Sequence, residues 1–214
     1  MGSSLFDEMP ALTPLDFFSL SADVKHTASL QQVSLRTHRL ASTSELLAEN
    51  AFAQMAIGWN EEGLVLSAYV EKPFEEAEYP QFSQADALEV FLDTRDLKTA
   101  GFLTKFCHHF LILPQEVQGI RALELTRFRT EDAHSLCEPS DIQVTCKMEQ
   151  NSYELHLFFP AHCLHGYDPS TLDRLGFTYR LHRKGGSPQH FSVSSSDFTI
   201  EQHPRLWGSL KLTK

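Results

Sequence analysis

Met55, Ile57 and Trp59 alternate with Gln54, Ala56 and Gly58, and after Asn60-Glu61-Glu62-Gly63 the alternation resumes at Leu64, Leu66, Ala68 and Val70. Successive side chains of a strand point to opposite faces, so two such runs joined by a short glycine-containing segment predict a β-hairpin. Asp86 to Asp93 is the clearest single strand, with Leu88, Val90 and Leu92 on one face and Glu89, Phe91 and Asp93 on the other. Further strands are predicted over Phe106–Leu113 (closed by Pro114), Leu123–Arg129, Ile142–Met148, Tyr153–Phe159 (closed by Pro160), Phe177–Arg183, His190–Val193 and Leu206–Leu212.

Helical signals are sparse. Ser42–Asn50 carries an N-cap residue followed by Glu45, which predicts one short helix, and a second short one is expected near Pro160–Leu164. Residues 1–40, interrupted by Pro10 and Pro14, read as an irregular N-terminal arm packed on or extending from a domain spanning 41–214. Many short strands with little helix predict a mostly β fold, a two-sheet antiparallel sandwich of the jelly-roll or immunoglobulin-like kind with one or two short helices.

Composition narrows the functional classes. The 214 residues carry 18 Lys and Arg against 28 Asp and Glu, a formal net charge of −10. That field repels phosphate, so neither nucleic acid nor an anionic membrane is an expected partner. No run of about 18 apolar residues offers a membrane span, and Met1–Pro10 lacks a basic and then apolar leader, so a soluble, cytoplasmic chain is expected. The four cysteines, Cys107, Cys137, Cys146 and Cys163, show no CxxC spacing and are expected to be reduced thiols. Of 23 aromatic residues 16 are Phe, which has no polar handle and belongs mostly in a core.

Three segments carry a resemblance. They are the hairpin Ala53–Val70, the strand Asp86–Asp93 ending in Asp-Thr-Arg-Asp, and a late series of Tyr153-Glu154-Leu155 to Pro160, Leu175-Gly176-Phe177 and Pro204-Arg205-Leu206-Trp207-Gly208. Over roughly Ala53–Leu212 the chain resembles the family 9 carbohydrate-binding-module-like domains, a branch of the DOMON-like sandwiches, and a bacterial branch of that superfamily in its Asp93–Asp96 and Phe106–His108 segments. The resemblance implies a sandwich that presents a ligand site on the concave face of one sheet, for a sugar or, in DOMON relatives, haem. Trp59 and Trp207 fall in framework positions of that family, so stacking on a sugar is expected from Phe91, Tyr69 or Phe158.

Strand alternation then sorts the chemistry. Glu89, Phe91 and Asp93, Glu154, His156 and Phe158, and Thr178, Arg180 and His182 are expected on one shared outer face. The candidate ligand-binding residues are Glu89, Phe91, Asp93, Arg95, His156, Arg180 and His182. Carboxylates and a guanidinium suit hydroxyls, and rings cover an apolar surface. On this reading Arg180 and Glu89 matter for binding and little for stability. The plainer alternative is a solvated face with cross-strand ion pairs, and for Asp93–Asp96 a local turn in which Arg95 pairs with Asp96.

Enzyme motifs such as GxSxG, HExxH, the P-loop and GxGxxG are absent from the sequence. Glu89 and Asp93 lie about 13 Å apart along one strand, too far for a glycosidase pair. His162 and His165, with Cys107 or His109, are the candidates for a zinc-like cluster, and Met55 or Met148 with a histidine for haem, but no spacing singles out either set. The expectation is therefore a non-catalytic module without cofactor or metal that binds a glycan or similar polar small molecule. The alternatives are a protein-interaction or structural domain and, less favoured, a metal- or haem-binding domain.

Overall fold

The computed structural model describes residues 20–214. The readings made on Met1–Pro10 and Pro14 lie outside the described residues. The strands are β1 (Ser21–His26), β2 (Ala53–Asn60), β3 (Gly63–Val70), β4 (Ala87–Asp93), β5 (Cys107–Val117), β6 (Ile120–Glu124), β7 (Gln143–Met148), β8 (Tyr153–Pro160), β9 (Arg174–His182), β10 (Gln189–His190) and β11 (Gly208–Thr213). One four-residue helix, α1 (Leu35–His38), is capped by the Ser34 hydroxyl. No described helix is long and apolar enough to cross a membrane.

The mostly β class holds, but the strands form one hydrogen-bonded sheet rather than two. Its order is β6-β5-β4-β9-β11-β1-β2-β3-β8-β7, with β10 added to β9. The ends of this long sheet curl over each other, so that Leu88, Val90 and Leu92 of β4 and Phe110 of β5 share one core with Ile57 of β2, Leu66 of β3 and Leu155, Leu157 and Phe159 of β8. Twist accumulates along a sheet of this width, and closing it on itself buries one whole face.

The arm supplies the joint. β1 pairs in parallel with both β11 and β2, so part of the expected N-terminal arm is a central strand of the sheet. Its sequence, Ser-Ala-Asp-Val-Lys-His, buries only Val24, too weak an alternation to show in the sequence. Trp59 locks this joint by donating its indole N–H to the carbonyls of Val24 (3.0 Å) and Thr213 (3.1 Å). The β2–β3 hairpin forms as expected. Asn60 Oδ1 accepts from the N–H groups of Glu62 and Gly63, and a Cβ on Gly63 would collide with the Phe159 carbonyl.

Other boundaries moved. Ser42–Asn50 is a series of turns, not a helix, and near Pro160 the chain makes a single 3-10 turn, Ala161–Cys163. β5 continues past Pro114, where its register with β6 shifts between Ile112 and Val117. Cys137 and Cys163 form a disulfide, while Cys107 and Cys146 remain free thiols. The expectation of four reduced cysteines fails because the loop after β6 returns to the turn after β8, an approach across 26 residues that spacing alone does not reveal.

Candidate functional site

The outer face of β4, β5 and β9 is not open sheet. Loops 74–85, 97–106, 126–134 and 194–207 fold across it, and between them lies a cleft of about 510 Å³. Glu89 forms its floor and is 0% exposed. β4 lies between β5 and β9 and sets Glu89 directly opposite Arg180. Glu89 Oε1 accepts from Arg180 Nε (2.6 Å) and from His182 Nε2 (2.6 Å), and Oε2 from His109 Nε2 (2.7 Å). Burial works against the ionised carboxylate, but the three donors outweigh it and hold Glu89 well below the usual carboxylate range. Burial also opposes the charge on Arg180, and Glu89 overcomes that opposition.

Among the described residues only the Nε of Arg180 is spent on a hydrogen bond. Its Nη1 lies 3.8 Å from Glu201 Oε2 across the cleft. Tyr79, Phe82, Phe102, Leu125, Arg127 and Phe128 line the walls, and Arg129, also at the rim, donates to Gln202. Phe102 is 47% exposed, a large ring left in water beside an ionic floor.

This arrangement unites only part of the expected site. Glu89, Arg180 and His182 come together. Phe91 does not join them as a contact surface: it is buried beside Glu89 on the same strand face, stacked on His109 (4.3 Å) and tilted against Trp207 (5.7 Å). Asp93 is buried at the far end of β4 and accepts from the backbone N–H groups of Arg95 (2.9 Å) and Leu97 (2.7 Å), the local turn of the alternative reading. Arg95 pairs with neither a ligand rim nor Asp96. It lies over the Phe106 ring (4.8 Å), and Asp96 instead meets Lys98 (2.6 Å) and Ser209 (2.6 Å).

His156 is on the wrong half of the sheet. β8 neighbours β3 and β7, not β4 or β9, so His156 bonds Ser67 (3.0 Å) beneath the segment that carries Val33. The shared outer face therefore never forms, because period-two alternation fixes which side of its own strand a residue takes and says nothing about strand order. Of the rings expected to stack on a sugar, Phe91 and Phe158 are buried and Tyr69 donates its hydroxyl to Val33 O (3.0 Å). Trp59 and Trp207 are both buried, as their framework positions imply.

His109 was legible as chemistry, but only as part of a metal cluster with His162 and His165. Those two separate: His162 pairs with Asp141 (3.1 Å) and His165 stacks on His134 (5.5 Å). Tyr79, Phe82 and Phe102 come from loops with no periodic signal, whereas Leu125, Arg127 and Phe128 lie in the expected strand Leu123–Arg129, which ends at Glu124 and runs on as loop.

Two other polar assemblies stand apart. Beside a second cleft of about 860 Å³, His190 donates through Nδ1 to Glu49 (2.7 Å) while Ser195 Oγ sits 2.8 Å from Nε2. The order resembles a serine–histidine–acid chain, but the Ser195 backbone N–H also points at Nε2 (3.3 Å), occupying the nitrogen a catalytic base keeps free. It straps residues 44–49 to β10. Behind β5 and β6, Glu124 is buried with His108 and His134. Burial raises its pKa, but these imidazoles and the Thr126 hydroxyl bring it down to about 2.

No protein-family model matches the sequence, and no curated protein matches it either. Solved structures do. A family 9 carbohydrate-binding module from Caldicellulosiruptor kristjanssonii in complex with cellotriose aligns at TM-score 0.63 and 15% identity, over 90% of this chain and 93% of that one. The same module with glucose aligns equally well over 95% of its length. A candidate carbohydrate-binding protein from Bacteroides uniformis aligns at TM-score 0.56 and 11% identity, over 92% and 100% of the two chains. At these identities the likeness establishes the fold: the chain has the β architecture of carbohydrate-binding modules.

Proposed function

We propose that the protein is a non-catalytic binding module for a glycan, and that the ligand enters the cleft over Glu89 and Arg180. The observation that carries this reading is a rigid ionic floor beneath an exposed aromatic rim. Glu89 fixes the Arg180 side chain through Nε and leaves its terminal nitrogens to donate into the cleft, where vicinal sugar hydroxyls match their spacing. Phe102, Phe128, Tyr79 and Phe82 offer apolar rings to the C–H faces of a pyranose, and Glu201 and Arg127 supply an acceptor and further donors at the wall. The floor is held by its own ion pairs before any ligand arrives, which limits the ordering entropy lost on binding.

The fold likeness supports the same reading, since the two Caldicellulosiruptor structures hold cellotriose and glucose. The test is a glycan array probed with the full chain, followed by calorimetric titration of the oligosaccharides that bind. The expected result is saturable binding that is weakened by Phe102→Ala and Arg127→Ala. Failure of every glycan to bind, or binding unaffected by both substitutions, overturns the assignment.

A further inference from the structure

Two histidines and one glutamate meet in the interior between β5, β6 and the 126–138 loop. His108 is 1% exposed, and Glu124 and His134 are equally enclosed at their side chains. His108 Nδ1 and His134 Nε2 each lie 2.9 Å from the same oxygen, Glu124 Oε1, and the Thr126 hydroxyl donates to that oxygen as well (2.6 Å). A carboxylate oxygen has about two lone-pair directions, so three donors on one oxygen exceed what it accepts well. Meanwhile Glu124 Oε2 is fixed by the Cys137 backbone N–H (2.8 Å).

The tautomers make the point sharper. His134 Nδ1 lies 2.6 Å from the Lys105 carbonyl oxygen, which only accepts, so Nδ1 carries a proton. Its Nε2 then faces a carboxylate. Either the ring is a buried imidazolium, or the Nε2 lone pair is directed at a cation. His108 turns Nδ1 into the same space, while its Nε2, without a hydrogen-bond partner among the described residues, faces the His165 backbone carbonyl as a natural acceptor for the remaining ring proton. The three potential ligand atoms lie within 4.8 Å of one another.

We propose that His108 Nδ1, Glu124 Oε1 and His134 Nε2 form a binding site for a first-row divalent cation, zinc in the first instance. Two imidazoles and a carboxylate are zinc's preferred nitrogen and oxygen donors, and bond lengths near 2.0–2.2 Å require the ligands to part by only a few tenths of an ångström. Lys105 and Cys137 already provide the outer hydrogen bonds that orient ligating His and Glu. The ion replaces the imidazole protons on the crowded oxygen, and Thr126 keeps its bond. It would fasten the 126–134 segment to β5, and with it Phe128, whose ring meets His134 edge-on (4.8 Å).

The experiment uses the full chain stripped with chelator and then titrated with zinc alone. Mass-spectrometric metal analysis after dialysis is expected to give one zinc per chain, and His134→Ala to weaken binding at least about a hundredfold. His162→Ala, at a surface histidine, should retain the ion. Should His134→Ala fail to fold, cobalt(II) bound to the wild-type chain decides. A nitrogen- and oxygen-ligand spectrum supports the site. A thiolate charge-transfer band, which only a cysteine outside this trio can give, overturns it, as does substoichiometric uptake by the wild type or full retention by His134→Ala. None of these readouts depends on glycan binding.

Discussion

Glu89 and Arg180 face each other across neighbouring antiparallel strands, with Arg180 Nε 2.6 Å from a carboxylate that has no contact with solvent. The pair is a structural device as well as the floor of the proposed binding cleft. Removing the guanidinium leaves a buried charge with two histidine donors, and breaking a buried ion pair costs about 3 kcal/mol or more. Arg180→Ala is therefore expected to lower stability by about that amount in urea denaturation, against the sequence expectation that it would be nearly neutral. Loss of ligand binding in this variant alone would not separate the two roles.

Phe102→Ala separates them. The ring is half exposed, so its truncation should change stability by less than about 0.5 kcal/mol. If sugar stacks there, affinity should fall by about 1 kcal/mol, roughly fivefold in Kd. Calorimetry on the folded variant, with its melting curve as control, reads both quantities. Unchanged affinity would remove Phe102 from the site.

The strand pattern exposed the hairpin and the core faces of β4 and β8, because each depends on period-two alternation within one segment; the framework places of Trp59 and Trp207 came from the family resemblance instead. It placed Glu89 and Arg180 together on one outer face for a sound reason: polar groups at outward positions of otherwise apolar strands need a partner. It failed at His156, since no local signal shows that β8 pairs with β3 and β7. Asp93 and Arg95 were misplaced because a strand-end aspartate serves the next turn as readily as a ligand. Phe102 and Tyr79 stayed invisible because loop geometry is set by packing on the finished sheet, and Phe128 was read into a strand that stops at Glu124. β1 was missed for a related reason: its single buried residue gives no pattern, and its stability comes from the neighbours on both sides.

Core and site faces of β4 should respond differently to charge. Val90 is buried in the central apolar cluster, paired across the sheet with Phe110 and Tyr179, so Val90→Asp places a carboxylate without a cationic partner in that interior. The expected outcome is an unfolded or aggregated chain by near-UV circular dichroism. Glu89→Gln, on the opposite face, keeps the shape and replaces charge-assisted bonds with weaker ones. It should fold, with reduced stability.

The Cys137–Cys163 bond closes a loop of 26 residues around β7 and β8. Thiol titration of the denatured, unreduced chain should find two free thiols, Cys107 and Cys146, and four after reduction. Cross-links of this loop size contribute about 3 kcal/mol. Reduction should therefore lower the melting temperature, while Cys137→Ser with Cys163→Ser should be insensitive to reductant. Four thiols before reduction would refute the pairing.

Acid should destabilise the protein through two of its buried carboxylates, Glu89 and Glu124. Glu89 and Glu124 both have folded pKa values below the ordinary 4.5, Glu124 at about 2 and Glu89 well depressed, despite burial, by its three donors. The unfolded chain therefore binds more protons than the folded one at low pH, and stability falls as pH drops. Their contribution is fully present above about pH 4.5 and is lost as pH falls through the folded values, toward 2 for Glu124. Each carboxylate adds up to about 1.4 kcal/mol per pH unit to the slope within that window. Urea midpoints of the chelator-stripped chain measured from pH 6 to pH 3 should show this loss, and Glu124→Gln should flatten the curve while lowering the plateau above pH 5. A Glu124→Gln curve parallel to the wild type across the whole range would mean that the buried glutamate does not ionise, and that His108 and His134 hold their positions without it.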